Sequence, residues 1–152
     1  MKKKIAIIGS GIAGLTVANL LKTNSDFEAM VYEKENTLSL DEGYGVQLSP
    51  NSISVLNKIG FGDIDNNNIF NPSKLNFYSN NNNKICDLDL KRFNVEPAKY
   101  TTLKRSTLIE FLKNKLFTNN IKFGKEVRKI SRLKEKLLIN FIDNTNDLVD
   151  FL

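Results

Sequence analysis

The stretch Ile5-Ala6-Ile7-Ile8-Gly9-Ser10-Gly11-Ile12-Ala13-Gly14-Leu15 carries the strongest structural signal in this sequence. Its first four residues are continuously apolar, which is typical of a parallel strand buried on both faces. Apolar residues then recur every three or four positions, and this spacing predicts an amphipathic helix from Ile12 to Lys22. A second apolar run, Ala29-Met30-Val31-Tyr32, follows a polar turn. Strand, glycine turn, helix and strand in this order predict a βαβ unit.

Three glycines, Gly9, Gly11 and Gly14, lie between the first strand and the first helix in the spacing GxGxxG. We expect Gly9 to allow a tight turn, Gly11 to let the backbone approach a pyrophosphate, and Gly14 to let the helix pack closely on the sheet. The helix N-terminus, with the amides of Ile12 and Ala13, favours a phosphate group. The motif alone is a weak signal, but its place between a strand and a helix predicts a dinucleotide site.

An acidic residue, Glu33, follows the second strand directly. Dinucleotide-binding units carry an acid about 20 residues after the glycines, where its carboxylate accepts hydrogen bonds from the adenosine ribose. Such a carboxylate also repels a 2′-phosphate. The sequence therefore predicts a site for the ADP half of FAD or NAD, and disfavours an NADP-type ligand. The alternative is a glycine turn without a ligand and a surface glutamate.

Strands dominate the pattern after this unit. The predicted elements are a helix opening at Ser49-Pro50-Asn51, a β-hairpin of residues 75–78 and 84–88 with an asparagine turn, a helix over 105–117, a β-meander of residues 121–123, 126–130 and 137–142, and a strand beginning at Asp147. The asparagine runs favour loops over disorder because they are short and have strands on both sides.

Composition excludes several classes of protein. The 152 residues suit one domain, and a net charge of +5 spread along the chain does not favour nucleic-acid binding. The absence of histidine removes the usual general base and most zinc or haem sites. The single cysteine, Cys86, is expected to be a half-buried strand residue in a reducing cytoplasm. No apolar run is long enough for a transmembrane segment, while peripheral contact with a membrane stays open.

Three stretches together resemble the FAD-dependent aromatic-ring hydroxylases, that is, the p-hydroxybenzoate hydroxylase-like flavin monooxygenases that include the hydroxylases of ubiquinone biosynthesis. The stretches are residues 7–15 with Tyr32-Glu33-Lys34, residues 43–51 with Val55-Leu56 and Ile59-Gly60-Phe61, and residues 103–112. The first stretch fits many flavin or NAD enzymes. The second and third make the resemblance more specific.

The resemblance implies an α/β architecture, a Rossmann-like FAD-binding βαβ fold of the glutathione-reductase type. This fold would carry a β-meander and part of a β-rich substrate domain, and the chain would be a truncated form of it. Residues 1–152 are then the N-terminal part of the FAD-binding domain, with an inserted substrate-domain hairpin at about 70–100. The Asp-Gly and Gly-Asp motifs of the family's C-terminal half are absent. Many members carry an arginine shortly before the paired glycines, where this chain has Leu40, Asp41 and Glu42.

The resemblance also implies roles for residues outside the glycine motif. Arg105 would reach the cofactor phosphate or ribose, and Lys34 would lie near the adenosine. Gly45 and Gln47 would pass near the ribityl and flavin end, and the main chain of Val127 would line the adenine pocket. For Lys34 and Gln47, a purely solvated side chain is an equal alternative. The resemblance assigns no catalytic residue and no metal ligand to this chain.

The implied activity is that of an FAD-dependent monooxygenase, an oxidoreductase. It would hydroxylate a small aromatic or quinone-precursor ring with NAD(P)H as transient reductant and O2. Three alternatives stay open: a non-catalytic or unstable FAD- or ADP-binding piece, another flavin enzyme on the same scaffold such as a halogenase or prenyl reductase, and an NAD-dependent dehydrogenase. The dehydrogenase requires further alternating helices and strands after residue 60, where a hairpin and a meander are predicted instead.

Overall fold

The chain divides into two units in a computed structural model that describes residues 2–38, 40 and 44–152. The first unit comprises Met1–Asp41 and Leu108–Leu152, and the second comprises Glu42–Thr107. The predicted N-terminal βαβ unit and the β-meander therefore belong to one unit, and the predicted hairpin belongs to the other.

Eleven strands and three α-helices form in the part of the chain that the structure describes. The strands are β1 (Lys3–Ile8), β2 (Phe27–Tyr32), β3 (Gly45–Leu48), β4 (Ile69–Phe70), β5 (Lys74–Tyr78), β6 (Lys84–Asp89), β7 (Thr101–Lys104), β8 (Ile121–Lys122), β9 (Val127–Leu133), β10 (Lys136–Phe141) and β11 (Asn146–Val149). The helices are α1 (Ile12–Lys22), α2 (Pro50–Asn57) and α3 (Arg105–Asn114), with short 3₁₀ turns at Phe61–Asp63, Asn66–Asn68 and Thr118–Asn120.

The N-terminal βαβ unit is confirmed. β1 and β2 pair in parallel, with Lys3 opposite Phe27 and Ile8 opposite Tyr32. Between them, α1 has the predicted bounds and buries Leu15 against the sheet side of the unit. The expectation that β1 is buried on both faces is wrong at its end, because Ile8 is 46% exposed. β1 lies at the edge of the sheet β1-β2-β8, so its end lacks a strand neighbour among the described residues on that side.

The strand after α3 corrects the prediction for the meander. Residues 121–123 were expected in the meander, but β8 pairs in parallel with β2, with Val31 opposite Ile121. The physical reason is the preceding helix, because a strand that follows a crossover helix returns to the parallel sheet. α3 also ends at Asn114 rather than Phe117, since the amide of Leu116 bonds the carbonyl of Lys113 and tightens the last turn.

Two strands of the predicted meander are confirmed as β9 and β10, and the strand predicted from Asp147 joins them as β11. The three strands pair antiparallel in sequence order. The inner face of these strands meets the parallel sheet in one apolar core. The core residues are Ala6, Tyr32, Ile139, Phe141 and Val149. The rings of Tyr32 and Phe141 lie 5.0 Å apart between centroids. The Tyr32 hydroxyl donates to Asp147 Oδ2 at 2.6 Å, and burial together with this carboxylate raises the pKa of Tyr32.

The second unit consists of a small antiparallel sheet, a helix and a hairpin. The sheet has the order β3-β7-β4, and α2 buries Ile53 and Leu56. The hairpin of β5 and β6 confirms the asparagine-turn prediction. The expectation for Cys86 is wrong, because this residue is exposed rather than half-buried. β6 is exposed along its whole length, and its sheet has no third strand among the described residues.

A buried asparagine, Asn19, joins α1 to the end of α3 within the first unit. Its Nδ2 donates to the carbonyls of Leu15 at 2.9 Å and Leu112 at 2.8 Å. Leu112 lies in the last turn of α3, where carbonyls lack partners in their own helix. The amide of Asn19 thus satisfies a helix terminus that is buried.

Replacing Asn19 with alanine should destabilise the chain. The change leaves the buried carbonyl of Leu112 without this donor, and an unsatisfied buried polar group costs about 1–3 kcal/mol. The free energy of unfolding, measured by urea denaturation, should fall by that amount. Asn114→Ala, at an exposed position on α3, is the matched control and should change it by less than about 0.5 kcal/mol. Equal effects of the two substitutions would contradict the structural role of Asn19.

Among the described residues, none of the helices combines the length and the apolar character needed to cross a bilayer.

Candidate cofactor-binding site

The turn from β1 into α1 requires glycine at two positions for two reasons. Gly9 has φ +96°, a conformation that side-chain-bearing residues rarely adopt, and its amide donates to the carbonyl of Tyr32 at 2.8 Å. At Gly14, an added Cβ would lie closer than 3.0 Å to the Gly9 carbonyl oxygen and 3.2 Å from Ile7 Cγ2. Gly9 therefore permits the turn, and Gly14 permits the helix to approach it.

Neither reason applies to Gly11. Its φ of −73° and ψ of 179° are ordinary extended values that any residue adopts. A Cβ built at Gly11 meets no atom of the described residues within 4 Å. The space beside this residue is therefore open, and a side chain there would point into it.

The N-terminus of α1 faces the same turn with its amides uncapped by a side chain. Gly11 is the N-cap residue, and within residues 11–22, all of which the structure describes, no side chain caps the helix and the first turn has no acid. The first-turn amides, those of Ile12, Ala13 and Gly14, are the groups that an α-helix leaves without partners. Together with the helix dipole they favour an anion such as phosphate.

The carboxylate of Glu33 lies against the glycine turn. Its Oε2 accepts hydrogen bonds from the amide and the Oγ of Ser10, each at 2.7 Å, and its Oε1 accepts the amide of Glu35 at 3.0 Å. Partial burial raises the pKa of Glu33, but the hydrogen bonds from Ser10 and from the following amides outweigh it and hold the pKa below its ordinary value. The carboxylate is therefore ionised at neutral pH and ready to accept hydrogen bonds.

The backbone of Glu33 is held by a segment distant in the sequence. Its amide donates to the carbonyl of Lys122 at 2.9 Å, and its carbonyl accepts the amide of Lys125 at 2.7 Å. The amide of Gly124 bonds the carbonyl of Glu35 at 3.0 Å. Sequence reasoning missed this clamp because no local pattern indicates which strand pairs with the residues after β2.

Lys34 and Val127, the other residues of the first unit to which the resemblance gave roles, lie in different settings. Lys34 is exposed, and its Nζ lies 3.6 Å from a carboxylate oxygen of Glu35. Val127 begins β9, opposite Phe141, and packs its half-buried side chain against the core of the unit. The side chain of Lys34 is thus free to reorient, whereas that of Val127 is fixed by packing.

Arg105 and Gly45 come together at one end of the small sheet in the second unit. β3 and β7 place Gly45 opposite Lys104, and the amide of Arg105 donates to the carbonyl of Tyr44 at 3.1 Å. Arg105 is the first residue of α3.

Gln47 lies on β3, two residues after Gly45, and its Oε1 accepts a hydrogen bond from the Tyr100 hydroxyl at 3.1 Å. The side chain of Gln47 is exposed. Gly43, Asp41 and Glu42, on which the sequence analysis also drew, lie outside the described residues.

The first unit thus combines a tight glycine turn, an open helix N-terminus and an ionised acid at the end of the second strand. This arrangement suits an anion at the helix N-terminus and a hydroxyl donor at the acid. An adenine dinucleotide offers both groups, the anion in its pyrophosphate and the hydroxyls in its ribose. The first unit therefore has the features of a Rossmann-like dinucleotide-binding fold.

Comparisons with known proteins narrow this class. Residues 7–43 match the family described as NAD(P)-binding Rossmann-like domain. The chain is 48% identical over 59 residues to 3-amino-4-hydroxybenzoate 2-monooxygenase PtnB3 of Streptomyces platensis. The aligned segment covers 39% of this chain and 14% of the relative. The chain is also 26% identical over 154 residues to 6-hydroxynicotinate 3-monooxygenase of Pseudomonas fluorescens. That alignment covers 98% of this chain and 39% of the relative.

Solved structures agree on the fold. Klebsiella pneumoniae HpxO, solved with FAD and uric acid, superposes with a TM-score of 0.78 at 21% identity over 97% of this chain and 37% of that one. The predicted Rossmann-like fold is therefore confirmed. The chain is similar in sequence to these two monooxygenases, in agreement with the family resemblance drawn from its motifs. It spans between 14% and 39% of the length of these two curated relatives.

Proposed function

We propose that this chain is the FAD-binding part of a flavin-dependent monooxygenase that hydroxylates a small aromatic or quinone-precursor ring with NAD(P)H and O2. The observation that carries the proposal is the open space at Gly11. Neither its backbone conformation nor its packing requires glycine. A pyrophosphate in close contact with the backbone gives glycine a reason there, and it does so beside the uncapped amides of α1.

The first unit would hold the ADP half of the cofactor. The amides of Ile12, Ala13 and Gly14 would donate to the pyrophosphate, and Glu33 would accept hydrogen bonds from the adenosine ribose. Lys34 is exposed and long enough to reach toward the adenosine, and we assign the main chain of Val127 to the adenine pocket. These roles use only binding and orientation.

We assign the second unit to the remaining cofactor contacts and to substrate. Arg105 has a guanidinium that stays charged and forms paired hydrogen bonds, which suits a phosphate or ribose. Gly45 and Gln47 would lie along the ribityl and flavin end. The hairpin of β5 and β6 would belong to the inserted substrate domain at about 70–100, and its exposed faces are consistent with an element that packs against further β structure.

The bound flavin, once reduced by NAD(P)H, would supply the oxygen chemistry, and the protein would bind it, orient it and exclude water. We assign no catalytic side chain to this chain. The names of the relatives, which specify hydroxybenzoate and hydroxynicotinate rings, support a small aromatic substrate. An exposed free cysteine, Cys86, is consistent with a reducing cytoplasm.

Cofactor binding by the purified chain tests the proposal. Titration should quench flavin fluorescence with a dissociation constant in the micromolar range. ADP-ribose should compete, while ADP-ribose carrying a 2′-phosphate should compete more weakly because Glu33 repels it. A thermal melt run in parallel reports folding. A cooperative melt without binding of FAD or ADP-ribose would overturn the proposal.

A further inference from the structure

Ser10 occupies a variable position of the glycine motif, to which the spacing GxGxxG assigns no role. It is nevertheless buried, with 4% of its surface exposed. Its amide and its Oγ both donate to the same atom, Oε2 of Glu33, at 2.7 Å each. Two donors of one residue thus converge on one oxygen of the acid that we assign to the ribose.

These hydrogen bonds fix the orientation of the Glu33 carboxylate. Bonds to an ionised carboxylate are shorter and stronger than neutral ones. The amide of Glu35 holds the other oxygen, Oε1, at 3.0 Å. A carboxylate oxygen accepts about two hydrogen bonds, so Oε2 is filled by Ser10 and Oε1 has room for a ribose hydroxyl.

We propose that Ser10 is a positioning residue that locks the Glu33 carboxylate toward the vicinal diol of an adenosine ribose and thereby sets selectivity against a 2′-phosphate. The inference rests on the proposed function, because it requires an adenine nucleotide in the site. A carboxylate that can rotate or take up a proton tolerates a 2′-phosphate, whereas a carboxylate held at both oxygens does neither.

The charged groups around Glu33 support Ser10 as the group that holds the acid. Lysines occur in both segments packed against it, but each has another partner. Lys34 pairs with Glu35 at 3.6 Å, Lys122 with Asp147 at 3.1 Å, and Lys125 with Asp143 at 2.5 Å. Hydrogen bonds from Ser10 and the neighbouring amides, rather than an ion pair with these lysines, therefore keep Glu33 ionised against its partial burial.

The test compares the wild-type chain with Ser10→Ala by calorimetric titration with ADP-ribose between about pH 3.5 and 7. Ribose binding uses the ionised acid, so affinity falls as the pH drops through the pKa of Glu33. Removing Oγ–H raises that pKa, so the variant should lose affinity at a pH higher by about 0.5–1 unit. Preference for ADP-ribose over its 2′-phosphate form should fall about fivefold at pH 7.

Two further variants separate positioning from a general structural role. Ser10→Thr keeps the hydroxyl and should restore the wild-type midpoint. In a Glu33→Ala background, Ser10→Ala should change ADP-ribose affinity by less than about twofold, because its effect passes through Glu33. An unshifted midpoint in Ser10→Ala, or an undiminished effect in the Glu33→Ala background, would overturn the inference.

A ligand-free measurement keeps this inference distinct from the proposed function. The ¹³C chemical shift of the Glu33 carboxyl, followed by NMR against pH, should give a lower pKa in the wild type than in Ser10→Ala. Equal values contradict the positioning role even if FAD binds. Failure of the folded wild type to bind ADP-ribose contradicts the proposed function, and with it the ribose role of the Ser10–Glu33 pair.

Discussion

Gly14→Ala is expected to lower the free energy of unfolding by about 3 kcal/mol. The new Cβ would lie closer than 3.0 Å to the carbonyl oxygen of Gly9, a backbone atom fixed by the turn out of β1. Alanine gains about 1 kcal/mol of helix propensity over glycine, which is too little to offset a clash between two backbone segments. Urea denaturation measures the loss, and the melting temperature should fall by roughly 6–12 °C.

Gly62→Ala is the matched control for this substitution. Gly62 lies in a 3₁₀ turn, and a Cβ built there meets no described atom within 4 Å. The free energy of unfolding should change by less than about 0.5 kcal/mol in this variant. If Gly14→Ala were as stable as Gly62→Ala, the close approach of α1 to the glycine turn would be refuted.

Gly11→Ala is expected to weaken FAD binding at least about tenfold while leaving the fold intact, because its methyl group would occupy the space assigned to the pyrophosphate. The backbone angles at Gly11 suit alanine, and the Cβ would meet no described atom within 4 Å. Alanine is a poorer N-cap than glycine, so a loss of about 1 kcal/mol or less in stability is expected. Flavin fluorescence quenching measures the affinity, and a thermal melt measures the fold.

The contrast between Gly11→Ala and Gly14→Ala is the informative result. The first substitution should affect binding with little effect on folding, and the second should affect folding. Unchanged FAD affinity in a folded Gly11→Ala chain would show that the open space beside α1 does not receive the pyrophosphate.

The local part of the fold was predictable because its signals lie within a few residues. The bounds of α1 follow from apolar spacing and the turn residues beside it, and the structure reproduces them. The hairpin of β5 and β6 follows from two short strands and an asparagine turn. At Gly9 and Gly14, the motif predicted geometric requirements that the backbone of the folded chain displays.

Features that depend on distant segments were not predictable in the same way. The apolar run at β8 reads equally well as a meander strand, and only its partner, β2, decides the assignment. Strand alternation also gave no sign that the β6 residue Cys86 is exposed, because burial depends on whether another layer covers the sheet. In the sequence, Asn19 is only a polar residue within an amphipathic helix. Its structural role depends on the hydrogen bond to the carbonyl of Leu112, 93 residues away.

The candidate site also combines features with a local sequence signal and features that depend on distant segments. The glycines and Glu33 follow from a spacing pattern, whereas the bonds between Ser10 and Glu33 join residues 23 positions apart. No periodicity encodes such a contact, since it depends on how β1 and β2 lie side by side.

The clamp on the Glu33 backbone has a consequence for the order of folding. The glycine motif and its acid occur within the first 33 residues of the chain, yet the acid is held in place by Lys122 and Lys125. Contacts of such long sequence separation form late and slow the folding of a domain. During synthesis on the ribosome, the nascent chain would contain every residue of the motif long before the Glu33 clamp could form, so cofactor capture would follow translation of β8.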